Sequence, residues 1–405
     1  MQTPAARPVK PLPAVLAGLC SSLVGIGLAR FAYTPLIPAL IEAGWFAPGT
    51  VAYLGAANLA GYLAGALSAR WIGARVPAPV ILRAMMLLAT ATFFASATPV
   101  SFLWYFVWRF ASGLAGGVLM VLAATTILQH ISIARRGLAG GVIFTGVGMG
   151  IIASGTLIPF FLGLGLAETW LGLGTIALLL TAASWTGWPR DDIALPLSQP
   201  AEALDALPRA PLALKALYAE YALCALGMVP HMVFLVDFVA RGLGHGVDAG
   251  ARYWVLFGIG AAIGPVAAGY LADRIGFAAA VRLAFLTEAV AVAMLAVWSV
   301  PVSLVVSSLI VGAFVPGTVS IVLGRVLELT ATNGHARKAA WSTATTAFAV
   351  GQALAAYGYS YVFAITGGGY RLLFALGAGA LVLALALDLA VAAGARRQPP
   401  ATPGR

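Results

Sequence analysis

The 405-residue sequence predicts an all-α membrane protein, twelve transmembrane helices arranged in two six-helix bundles. Three observations predict it. The composition is 61% hydrophobic and 9% charged, with a mean hydropathy of +0.97, whereas a soluble domain is roughly 45–50% apolar and about a quarter charged. The apolar residues fall in runs of ~20 or more, long enough for a helix to cross ~30 Å of hydrocarbon with its backbone satisfied internally. The basic residues cluster in alternate gaps between those runs, as they do around a polytopic bundle.

The first expected span is 14–41. It follows the basic segment MQTPAARPVK and so has the outline of a signal peptide, but the run continues through Arg30 into FAYTPLIPALI and many spans follow it, so a retained helix is expected. The second span, 48–71, carries Asn58 and the close-packing pair Gly61/Gly65. The third is 79–98. The fourth, 101–129, carries Tyr105, Arg109 and the pair Gly113/Gly117. Glycines four apart let membrane helices approach closely. The fifth, 137–162, contains GVGMG at 146–150 and Pro159; with no strand before it and no acidic residue at the expected distance, that run is read as a packing face rather than a nucleotide loop. The sixth is 168–188.

A polar, proline-rich interval, 189–212, divides six spans from six. The seventh span, 213–239, reads YAEYALCALGMVPHMVFLVDF in its centre. Its Glu220, Cys224, Gly227 and His231 are spaced to share one helical stripe, while Asp237 is displaced toward the far mouth. The eighth, 250–272, carries Gly260/Gly264 and Pro265. The ninth, 277–298, holds Glu288, for which a structural role is expected. The tenth is 301–327, with Gly312 and Pro316, and the eleventh is 338–365, with Gly351 and Gln352. The twelfth, 370–391, leaves a tail at 392–405, as residues 1–13 precede the first bundle. The bundles are thus 14–188 and 213–391. At an offset near 200 residues Gly65 meets Gly269, Arg70 meets Arg274, Gly113 meets Gly312 and Gly146 meets Gly351, a weak internal repeat of the kind transporters are built from.

Assigning Lys and Arg to the two sides of these spans puts 18 on the side of the termini and three, Arg241, Arg252 and Arg371, on the other. Both termini are therefore expected in the cytoplasm, in a bacterial inner membrane. The net charge of +10 is read as this topology signal, not as contact with nucleic acid. Cys20 and Cys224 lie within apolar spans and suggest neither a disulfide framework nor a metal site.

Four segments carry a family resemblance. GYLADRIG at 269–276 resembles the loop signature of the major facilitator superfamily, and GALSARWIG at 65–73 is its first-half counterpart with Ala69 in place of the aspartate. WRFASGLAGG at 108–117 resembles the same superfamily's fourth-helix signature, and GIGLARFAYTPLIPAL at 25–40 is similar to the first helix of its YbfB/YjiJ-like branch. The resemblance implies the major facilitator fold, with the first, fourth, seventh and tenth helices around a central cavity. It also implies gating positions at Gly65, Arg70, Gly269, Asp273, Arg274 and Gly276.

Arg30 and Arg109 are the two cations deep within spans. An arginine in hydrocarbon normally faces protein or water and marks function. At 1.5 Å per residue they lie ~16 Å and ~12 Å from the outer ends of their spans, so at similar depth. In a central cavity they would attract a carboxylate, phosphate or sulfonate. Tyr33, Tyr105, Asn58 and Gln352 are the expected companions in solute binding. Glu220, with His231 and Asp237, is the expected route for protons.

The function expected is secondary active transport of a small organic anion, coupled to protons, by a monomer that needs no cofactor. Export of amphipathic or hydrophobic compounds is the alternative, and a non-transporting receptor or assembly subunit a lesser one. The stretch GVGMGIIASGTLIPFF at 146–161 departs from the Gly-Pro pattern of many drug–proton antiporters. No nucleophile with an adjacent base, no HExxH and no clustered ligands point to an enzyme.

Overall fold

The computed structural model describes residues 11–128, 130–131, 136–189, 212–330 and 334–397. Most of the expected linker 189–212 lies outside these residues, as do parts of the segments 1–13 and 392–405 and the side chain of Arg70. Twelve helices among the described residues are long and apolar enough to cross a membrane. They are α1 Leu12–Glu42, α2 Pro48–Gly73, α3 Ala78–Ala95, α4 Phe102–Leu128, α5 Arg136–Leu162 and α6 Leu166–Ser184 in the first half. The second half has α7 Leu212–Gly242, α8 Gly246–Ile275, α9 Phe277–Val297, α10 Pro301–Leu329, α11 Gly334–Ile365 and α12 Tyr370–Arg397. With an even number of crossings, the start of α1 and the end of α12 share one face, called here the termini face; the opposite one is the far face.

Helix pairing repeats on moving six helices along the chain. α2 packs on α4 as α8 packs on α10, α3 on α6 as α9 on α12, and α1 on α6 as α7 on α12. Glycine is the physical reason for the tightest pair in each half. A methyl added to Gly61 or Gly65 would strike the backbone of Phe110 or Leu114 on α4, and one added to Gly260 or Gly264 would strike Leu309 or Ala313 on α10. Gly113 and Gly312 answer them from the other side, against the carbonyls of Asn58 and Phe257. Each of these pairs is 199 residues apart, so packing sets Gly65 against Gly264, five positions from the Gly269 that motif matching offered.

The same register carries to the termini face. Arg75 stacks over Trp71 at 4.0 Å and Arg274 over Tyr270 at 4.4 Å, so Arg75, rather than Arg70, takes the place of Arg274. Gly269 lies inside α8 with open space around it, not at a tight helix end. Gly276 does make the turn: its φ of 81° caps α8 and starts α9, a conformation that side chains with a Cβ rarely adopt. Asp273 is exposed and makes no hydrogen bond or ion pair among the described residues.

The halves meet where α1 faces α7, α2 faces α11 and α5 faces α8. The joining contacts lie from mid-depth to the far face. Gly148 of α5 sits against Ala262 of α8, Trp254 donates through Nε1 to Ser154 Oγ at 3.1 Å, and Thr34 donates to the Met232 carbonyl at 2.5 Å. Nearer the far face, Tyr53 and Tyr357 place their rings 6.3 Å apart, and the Cβ position of Gly49 lies 3.2 Å from that of Ala364. On the far face the halves thus touch between α2 and α11, while a cavity of about 450 Å³ lies between the end of α1, the end of α5 and the start of α8.

Candidate functional site

The centre of the molecule is organised by a break in α1. Its first helical segment, Pro11–Ser22, passes into a wide π-type turn over Leu23–Leu28, and regular helix resumes only at Tyr33. Such turns loosen the backbone ladder and recur at functional sites. Here the Ala29 carbonyl accepts from Arg109 Nη1 at 2.8 Å and from Ser112 Oγ at 3.0 Å, both on α4. Asn58 of α2 completes the group, donating to Ser112 Oγ at 2.8 Å and to the Arg109 carbonyl at 3.4 Å.

Arg30 emerges from the same break and crosses between the halves, its Nη2 donating to Gln352 Oε1 of α11 at 3.0 Å. Aromatic faces accommodate both cations. Arg109 lies 4.3 Å from the Tyr33 ring centroid and Arg30 lies 5.2 Å from those of Phe31 and Tyr62, a contact that offsets part of the cost of desolvation. Tyr33 is fixed by its hydroxyl, which donates to the Val51 carbonyl at 2.8 Å.

A cavity of about 20 Å³ lies between these groups, walled by Arg30, Tyr33, Thr34, Asn58, Arg109 and Met232 among others. That is room for about one water. The cavity lining contains no carboxylate. Arg30 Nε, Arg109 Nε and Asn58 Oδ1 are buried without a hydrogen-bond partner among the described residues. Buried polar groups are normally paired. The site therefore holds two positive charges, donors to spare and no acidic side chain in its lining.

Of the residues expected in solute binding, the structure brings Arg30, Arg109, Tyr33, Asn58 and Gln352 together and leaves Tyr105 elsewhere. Tyr105 is fully buried among Trp45, Phe46 and Trp170, and its hydroxyl is committed to the Ser96 carbonyl. Thr34, Ser112 and Met232 belong to the site but were not singled out from sequence. Thr34 and Ser112 had a usable signal, lying four residues after Arg30 and three after Arg109, on the same helical faces.

The α7 stripe turns away from the cavity into the second bundle. His231 Nε2 meets Ser307 Oγ at 2.7 Å, and Ser307 donates to the Ala291 carbonyl at 2.6 Å. Ser307 is thus the acceptor, which assigns the Nε2–H tautomer. Gly227 packs on Leu381 of α12. Glu220 is buried, and its charged neighbours are Arg282, Arg325 and Asp388. It pairs with neither Arg30 nor Arg109. Asp237 is held by Arg241 at 2.5 and 2.7 Å and by the Tyr370 hydroxyl at 2.5 Å.

Comparison with known proteins agrees with this architecture. The family model described as "Uncharacterised MFS-type transporter YbfB" matches residues 22–389. No curated protein matches the chain. Among solved structures, a bacterial homologue of the human lysosomal transporter Spinster, crystallised in an inward-facing and unoccupied conformation, superposes with a TM-score of 0.73 at 16% sequence identity. The match covers 98% of this chain and 100% of that one. With its paired six-helix halves around a central site, the chain belongs to the YbfB-type family of the major facilitator superfamily and is a transporter rather than an enzyme.

Proposed function

We propose that this transporter carries a small organic anion, and the observation that carries the reading is a pair of guanidiniums, Arg109 buried and Arg30 half-buried, with no carboxylate in their cavity. A guanidinium presents a fork of donors that matches a carboxylate, phosphate or sulfonate. Two of them at one depth, with Asn58 and Tyr33 beside them, suit an anionic head group on an uncharged body. The cavity of about 20 Å³ is too small for such a solute, so binding accompanies a parting of the halves.

In this reading the two bundles rock about the arginine site and expose it to each side in turn. The solute anion replaces Gln352 as the acceptor for Arg30, releasing one of the bonds that hold the halves together. The bias of basic residues supports cytoplasmic termini in a bacterial inner membrane. The far face, where α2 meets α11, is then the outer one. The transporter works as a monomer, with a proton gradient supplying the energy.

The test is a thermal-shift screen of purified protein against organic acids, amines and neutral amphiphiles, repeated on Arg30→Ala and Arg109→Ala. Stabilisation by an acid that disappears in both variants supports the anion reading. Stabilisation only by amines or neutral amphiphiles, retained in the variants, overturns it in favour of multidrug-type export.

A further inference from the structure

Behind α7, on the side away from the arginine cavity, the second bundle buries a carboxyl group that the solute site does not use. Glu288 of α9 is wholly inaccessible. Its Oε2 accepts from the Cys224 thiol at 3.5 Å, and its Oε1 has no partner. From α7 it faces the titratable groups Cys224 and Tyr221. α10 brings the hydroxyls of Ser307, Ser308 and Thr318 to the bundle interior; α12 carries Asp388, whose charge acts on Glu220, and no charged group acts on Glu288 from α8 or α12 among the described residues. Asp388 is itself tied to Arg282, a turn and a half along α9 toward the termini face.

Among the described residues no cation is placed to neutralise Glu288. A buried carboxylate without a cation is strongly disfavoured, so charge at this position is tolerable only with the bundle opened or with a proton bound. Glu220 differs: its neighbours include two guanidiniums, Arg282 and Arg325.

α7 joins this interior to the solute site. One face carries Cys224 and His231, bonded to Glu288 and Ser307; the other carries Met232 and Val233, which line the arginine cavity. Pro230 interrupts the helix between Cys224 and Met232, where a bend needs little rearrangement of the backbone ladder.

We propose that Glu288 is the proton-binding site of this transporter, loaded and unloaded as α7 moves against α9 and α10. The proposal rests on the carrier reading for its purpose but not for its detection. One proton passes from water to the carboxyl and on to water at the other side, with no bond to the solute and no change of oxidation state.

The experiment is infrared difference spectroscopy of the full-length protein in liposomes across a pH jump. The carbonyl stretch of a protonated buried carboxyl is expected in wild type, lost in Glu288→Gln, moved in Glu288→Asp and in Cys224→Ala, and kept in Glu220→Gln. In parallel, Glu288→Gln is expected to release one proton fewer per molecule over the same jump. A band that survives unchanged in Glu288→Gln, or that is lost in Glu220→Gln, overturns the proposal. If a pH gradient drives no uptake of a stabilising organic acid into the same liposomes, the proton-driven anion reading falls, while the infrared result still decides whether Glu288 binds the proton.

Discussion

Replacing Gly49 of α2 and Ala364 of α11 with cysteine should produce a disulfide that holds the far face shut. The ideal Cβ position of Gly49 lies 3.2 Å from the Cβ of Ala364. Disulfides have Cβ separations of about 3.5–4.5 Å and Cα separations up to ~6.8 Å. The pair must therefore relax by only a few tenths of an ångström to form the bond; Ala364 is exposed to oxidant and Gly49 half-buried. Once formed, the bond forbids α2 and α11 from parting beyond that Cα limit. No solute can then pass by way of the far face. The assay is uptake into liposomes of an acid that stabilises the protein, before and after oxidation and again after dithiothreitol, with the linked peptides identified by mass spectrometry. Uptake should fall to the level of empty liposomes and return on reduction. Complete cross-linking with unchanged uptake would refute the idea that this contact must open in every cycle.

Three further outcomes follow from the packing and the buried networks. Gly113→Val puts methyl groups against the Asn58 carbonyl and should cost about 1–3 kcal/mol or more by overpacking, read as a lower melting temperature together with weaker solute binding, since Asn58 and Ser112 orient Arg109. Asp237→Asn removes the charged partner of Arg241, which keeps its bond to the Tyr370 hydroxyl at 3.1 Å and is partly exposed; the loss should stay below the ~3 kcal/mol of a fully buried pair, and the double variant with Arg241→Gln should recover part of the melting temperature. Ser307→Ala leaves His231 Nε2–H without its acceptor and should cost about 1–3 kcal/mol, again measured by thermal unfolding; an unchanged melting temperature would show that another group serves the ring.

Depth and spacing along the chain made the arginine pair legible. Arg30 and Arg109 were expected at one level in the membrane, and they converge because α1 breaks beside α4 and offers the Ala29 carbonyl. Direction around a helix was not legible in the same way. Tyr105 is one turn from Arg109, yet its side chain enters the first bundle's aromatic core. The Glu220–His231 stripe was recognisable as a single face, but an apolar environment surrounds α7 on nearly every side, so hydropathy gave no sign that the stripe looks into the second bundle.

The internal repeat shows the same division. Glycine pairs at four-residue spacing correctly marked the tight α2–α4 and α8–α10 contacts, because only glycine permits such an approach. Matching the loop signature placed Gly65 opposite Gly269, whereas the backbone contacts place it opposite Gly264. Loop residues can drift along a helix end without cost, while residues at a close crossing cannot.

The anion site is the central claim, and the most direct test is the affinity of a stabilising organic acid for wild-type protein and for Arg109→Gln, measured by isothermal titration calorimetry. Removing one partner of a buried charge-assisted contact costs about 2–5 kcal/mol, so the account predicts binding weakened by ~30-fold or more, with Arg30→Gln behaving alike. Equal affinity in wild type and both variants would contradict it.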